Sequence, residues 1–166
     1  MDALKLHLLL NYYPAIGFFI ATLIFIGAIR FKSVPAQRFA LKLTVFFAVL
    51  TLIVALTGEF AGRMQESQID GPRAAALEGH KILATIAFVL VEATGIAAIV
   101  ALIRPPGGSE GGKKAYAVFL LLATVSSALL IAVVLKGGQV KWAAEKPGAG
   151  SVSLTSIDME KTVWHA

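Results

Sequence analysis

The chain holds three histidines and no cysteine, so any metal it binds would need histidine or carboxylate ligands. His7 and Asn11 stand at i and i+4, with Pro14 three residues further on. That spacing puts all three on one face of a helix, which the proline would kink just beyond the polar pair. If His80 sits on a helix diagonal to this one, inward-facing His7 and His80 would point at each other across a core. Two neutral imidazoles on facing helices are the ligand set of a b-type haem. The competing reading is a polar cluster of His7, Asn11, Glu59, His80 and Gln139 at one membrane face, with no cofactor.

Glu92 is the other chemically distinctive residue. It interrupts an otherwise uncharged run from residue 82 to 103, where an ionised carboxylate costs about 3 kcal/mol or more. It is therefore expected to stay neutral and to donate to a hydroxyl on Ser126, Ser127, Thr124 or Thr51. Contact with a partner or lipid, and proton handling, are the alternatives. No nucleophile–base pair or carboxylate dyad can be assembled from the remaining residues, so an enzyme is not expected. Residues 107–114, Gly-Gly-Ser-Glu-Gly-Gly-Lys-Lys, approach a phosphate-binding loop. They put Lys114 where magnesium needs a hydroxyl, and no strand precedes them. A flexible turn is the simpler reading.

The elements that must position these groups follow from composition. Of 166 residues, 57% are hydrophobic and only 15% charged, and the mean hydropathy is +0.78. A soluble domain carries about a quarter charged residues, so most of this chain meets lipid. The absence of cysteine excludes disulfides, thiolate-ligated zinc, iron–sulfur clusters and covalent c-type haem.

A membrane-crossing helix needs about 20 mostly apolar residues. Residues 6–29, 39–58, 82–103 and 115–135 qualify, broken only by Lys42 and Glu92. The first exceeds the apolar core of a signal peptide, and no small-residue cleavage site follows it before Arg30, so it reads as a retained helix. Asp70-Gly71-Pro72 is a turn with proline at a favourable first helical position, so the third helix is expected to begin near Pro72 and run to Ile103. Short turns at 31–37 and 105–112 imply an all-α, up-down-up-down four-helix bundle. Gly137-Gly138-Gln139 is expected to close the fourth helix, leaving residues 137–166 as a polar tail that would stay disordered alone. Ala93, Ala97 and Ala101, with Ala123, Ser127, Ala128 and Ala132, supply flat faces for close helix packing.

Orientation follows from basic residues, not from the net charge of +5. Arg30, Lys32, Arg38 and Lys42 surround the first turn with no acid, and Arg104, Lys113 and Lys114 face only Glu110 around the other. The loop 59–81 balances both signs. These two turns are thus expected in the cytoplasm and both termini outside, as in a bacterial inner-membrane protein. Tyr12, Tyr13 and Trp142 then read as an outer aromatic belt. The excess positive charge serves topology, and nucleic acid is not an expected partner.

With this topology Leu6-His7-Leu8-Leu9-Leu10-Asn11, Pro14-x-x-Gly17, Thr57-Gly58-Glu59-x-Ala61, His80 and Gly137-Gly138-Gln139 gather at one face. Their order across residues 6–141 resembles a family of small bacterial four-helix membrane proteins of unassigned function. Members found with cytochrome domains imply proximity to electron transfer. The chain departs from that pattern at three places. Tyr12 precedes Tyr13-Pro14 where the family has a histidine, Lys81 follows His80 where it has Glu, and Trp142 follows Lys141 where it has a second histidine. The loss of two ligands and a supporting carboxylate weakens metal or haem binding.

Three readings follow. The first is a non-catalytic accessory or scaffold subunit of a larger respiratory or photosynthetic membrane complex, docked through its outer rim and tail. The second is a haem-b electron carrier using His7 and His80. The third is a small transporter using Glu92, although broken helices and inverted repeats are not evident.

Overall fold

The computed structural model describes residues 10–66, 72–104 and 110–145. These form four helices: α1 (Tyr12–Arg30), α2 (Val34–Glu66), α3 (Pro72–Ile103) and α4 (Glu110–Glu145). Each contains a stretch long and apolar enough to cross a membrane: Tyr12–Arg30, Val34–Phe60, Leu77–Ile103 and Glu110–Gly137. The chain is accordingly a multi-pass membrane protein. The helices are apolar nearly all round, as lipid-facing helices must be, with Phe19, Leu23, Phe46, Leu52, Val89 and Ile96 among many large side chains exposed on the outside.

Each helix packs against its neighbours in sequence, and α1 closes the ring on α4, while the backbones of the diagonal pairs stay apart. All four interfaces are antiparallel. Phe25 on α1 meets Phe119 and Tyr116 on α4 with ring centroids 4.7 and 5.4 Å apart, and further back along α1 Thr22 meets Ser127. The Arg38 Nη2 of α2 donates to the Leu102 carbonyl near the end of α3. The up-down-up-down order expected from short turns is therefore present.

The core has two apolar layers. One surrounds Phe25, Leu41, Ala98 and Phe119, towards the end of the bundle that carries the α1–α2 turn. The other surrounds Phe18, Ala48, Val91 and Leu130, towards the opposite end. Small residues set the helix separation. A Cβ on Gly17 would run into the Phe47 ring, and one on Gly95 would stand 2.8 Å from the Ala48 Cβ. Close packing of this kind, with interhelical hydrogen bonds, holds helices together where burial from water is unavailable.

The turn between α1 and α2 is shorter than the expected 31–37. Lys32 adopts φ 53°. The Ser33 and Lys32 amides donate to the Ala28 and Ile29 carbonyls, the paired bonds of a Schellman ending. Val34 then starts α2 directly, with Gln37 Nε2 also donating to the Ala28 carbonyl. Helices also extend past the apolar runs. α2 reaches Glu66, and α3 starts at Pro72 as the Asp-Gly-Pro turn predicts. The expected closure of the last helix at Gly137-Gly138-Gln139 is not what forms: α4 continues to Glu145. Each glycine costs about 1 kcal/mol against alanine in a helix interior. At Gly137 the His80 ring of α3 packs over the helix, a contact that an alanine there would crowd.

Candidate functional site

Antiparallel packing brings the start of α1, the Thr57-to-Glu59 stretch of α2, His80 of α3 and Gly137 of α4 to one end. At that end the structure joins α3 to α4. A Cβ on Gly137 would stand 3.2 Å from the His80 Cε1 and 3.6 Å from its Nδ1. The half-buried imidazole thus lies against the α4 backbone, where a Cβ at 137 would crowd the ring. On α2 the polar groups are satisfied locally. The Thr57 hydroxyl donates to the Val54 carbonyl at 2.9 Å, and the Arg63 Nε donates to the Glu59 carboxylate at 2.9 Å in an exposed i,i+4 pair. Asn11 is half-buried at the start of α1 and makes no side-chain cap. Of Gln139 the backbone alone is described, and His7 lies outside the described residues. Among the described residues no group of three His, Asp or Glu could hold a metal ion.

The middle of the bundle is more revealing. Ser126 and Ser127 are consecutive on α4, and successive helical residues project about 100° apart, so they reach different helices. Ser126 lies 2.8 Å from the Thr94 hydroxyl of α3, and Ser127 lies 3.2 Å from the Thr22 hydroxyl of α1. The Thr94 proton is spent on the Leu90 carbonyl at 2.7 Å, so Ser126 is the donor in the first pair. In the second pair Thr22 and Ser127 each already donate to a carbonyl of their own helix.

These pairings overturn the expected partners of Glu92. Ser126 donates to Thr94, while Ser127, Thr124 and Thr51 donate to the Ala123, Leu120 and Phe47 carbonyls within their own helices. The Glu92 Oε1 is buried and has no hydrogen-bond partner among the described residues. Its position on α3 explains why. Buried Val91, Thr94 and Gly95 turn inward, whereas Val89 and Ile96, respectively three before and four after Glu92, are 59% and 63% exposed. Glu92 is thus half-buried at the margin of the lipid-facing stripe, on the flank that approaches α2 through Gly95 and Ala48. The hydroxyl layer lies on the opposite side of the helix.

Residue type alone flagged Glu92, but not the two hydroxyl pairs. The available signal was Thr22, Thr94, Ser126 and Ser127 falling near mid-span in antiparallel register. Comparison of the chain with protein-family models, with curated proteins and with solved structures gives no match.

Proposed function

We propose that this chain is a non-catalytic accessory subunit of a larger assembly in the bacterial inner membrane, with the turns after α1 and α3 on the cytoplasmic side. The observation that carries this reading is the Glu92 Oε1, buried and unsatisfied in the membrane-spanning part of α3. An unmet buried oxygen costs about 1–3 kcal/mol, and in hydrocarbon no water offsets it. No side chain among the described residues bonds that oxygen, so a donor on a neighbouring transmembrane helix is the simplest complement. The satisfied hydroxyl layer and the close Gly17–Phe47 and Gly95–Ala48 contacts support a rigid scaffold. The motif order at the His80 end, with its resemblance to proteins found beside cytochromes, favours an electron-transfer complex as the host.

The test is native electrophoresis of mildly solubilised membranes that express the chain at its natural level. The chain should migrate in a complex of fixed composition, and Glu92→Leu should release it as a folded free species. A chain that runs alone, with Glu92→Leu unchanged, overturns the reading. Proton flux through vesicles holding the chain alone, abolished in Glu92→Gln, would instead assign Glu92 to proton handling.

A further inference from the structure

A second feature lies on the opposite flank of α3 from Glu92. A groove of about 460 Å³ runs between α3 and α4, floored by Ala93, Ala97 and Ala115 and walled by Ile96, Val100 and Val118. Its small residues recur at helical spacing on both helices, so the floor is flat, and the large side chains stand beside it. From Ala93 to Arg104 the groove spans about 16 Å at the rise of an α-helix. One leaflet of hydrocarbon is about 15 Å thick.

Only one end of the groove carries charge. There the lining includes Arg104, Gly111 and Lys114. The Arg104 Nη1 lies over Gly111, where a Cβ would approach it to 2.9 Å, so the guanidinium is drawn across the groove mouth and the absence of a side chain at 111 makes room for it. Lys114 forms an ion pair with Glu110 at 2.7 Å, with both side chains highly exposed. Arg104 makes no ion pair among the described residues. The mouth therefore carries two cations against one carboxylate, at the end of the bundle that also holds Arg30, Lys32 and Arg38. Apolar depth matching one leaflet, ending in a net positive mouth at headgroup level, is the complement of an anionic glycerophospholipid.

We propose that the α3–α4 groove is a binding site for one anionic phospholipid, with an acyl chain laid along Ala93, Ala97 and Ala115 and the phosphate held between Arg104 and Lys114. Arg104 is the principal contact, because guanidinium binds phosphate oxygens in a fixed bidentate geometry, while Lys114 is shared with Glu110. The site requires only that the bundle sit in a bilayer, and does not depend on whether Glu92 meets a partner.

Native mass spectrometry of the full chain, purified in mild detergent and offered equimolar phosphatidylglycerol and phosphatidylcholine of identical acyl chains, tests this. One net cation at the headgroup level predicts about a fivefold excess of phosphatidylglycerol adduct. The excess should fall to parity in Arg104→Gln/Lys114→Gln and persist in Lys113→Gln, an exposed lysine outside the groove. Ala97→Leu, with Ala93→Leu as a second variant, should fill the floor and reduce retention of phosphatidylglycerol while both cations remain. Parity in the wild-type chain, or an excess that survives loss of both cations, overturns the proposal. Displacement of the lipid by millimolar inorganic phosphate would also overturn it, because the site would then be a headgroup anion site with no acyl component.

Discussion

The Ser126 hydroxyl donates to the Thr94 hydroxyl at 2.8 Å, and Thr94 donates in turn to the Leu90 carbonyl at 2.7 Å. The result is a directed relay from α4 through a threonine into the α3 backbone. Chains of this kind polarise one another and gain strength in a low dielectric. The neighbouring Thr22–Ser127 pair has the same residue types, but both protons go to carbonyls of their own helices, and its oxygens stand 3.2 Å apart.

The two pairs should therefore differ energetically. A double-mutant cycle with Thr94→Val and Ser126→Ala is expected to show a coupling of about 1 kcal/mol, within the range for interhelical hydrogen bonds in membranes. The equivalent cycle with Thr22→Val and Ser127→Ala should give a coupling near zero. Reversible unfolding in mixed micelles measures both, and equal couplings would show that the relay direction has no consequence.

Glycine substitutions should separate by what each new methyl meets. Gly95→Ala would place its Cβ 2.8 Å from the Ala48 Cβ, an atom fixed to the α2 backbone, so the helices must part. A loss of about 1–3 kcal/mol is expected from such overpacking, with Ala48→Gly restoring most of it. Gly17→Ala drives into the Phe47 ring, and Phe47→Leu should relieve it. Gly27→Ala meets nothing within 4 Å and should gain about 0.5–1 kcal/mol from helix propensity. Thermal midpoints of the three variants in one detergent check the order.

These contrasts show where sequence reasoning reached and where it stopped. Four helices, their antiparallel order and the Pro72 start of α3 were legible, because apolar run length and an Asp-Gly-Pro turn act locally. The extension of α4 through Gly137 and Gly138 was not, because the ring that packs over Gly137 belongs to His80, 57 positions earlier in the chain. Ser126 and Ser127 were equal candidates to meet Glu92 on spacing alone. Only the rotation of α4 within the bundle directs one to Thr94 and the other to Thr22, and leaves Glu92 on another flank of α3. The groove at Arg104 was visible only as a small-residue stripe and a basic turn, since the approach of α3 to α4 is what joins them.

Lys32 offers a test of the turn. Its φ of 53° is left-handed backbone, which costs an L-residue with a Cβ about 1–2 kcal/mol, and the two Schellman bonds from Lys32 and Ser33 hold it there. Lys32→Gly should stabilise the bundle by about 0.5 kcal/mol after the greater freedom of glycine in the unfolded chain is deducted. Lys32→Val should lose at least as much. Stability in detergent reads both, and a glycine variant less stable than the valine one would show that the turn is not left-handed in solution.

Glu92 should behave in opposite ways in the isolated chain and in a cognate assembly. Within the chain its Oε1 is buried without a donor, so Glu92→Leu removes an unmet oxygen and puts apolar surface beside Val89 and Ile96, which already face lipid. The purified variant should be more stable than the wild type by about 1 kcal/mol. Glu92→Gln keeps the shape and adds an amide with its own unmet donors, so it should gain nothing. If a neighbouring helix supplies the missing donor, Glu92→Leu must weaken the assembly even as it strengthens the bundle, and a thermal midpoint that rises alone and falls in the complex is the signature of a docking carboxyl. A purified Glu92→Leu chain less stable than the wild type would mean that Oε1 finds its donor inside the bundle.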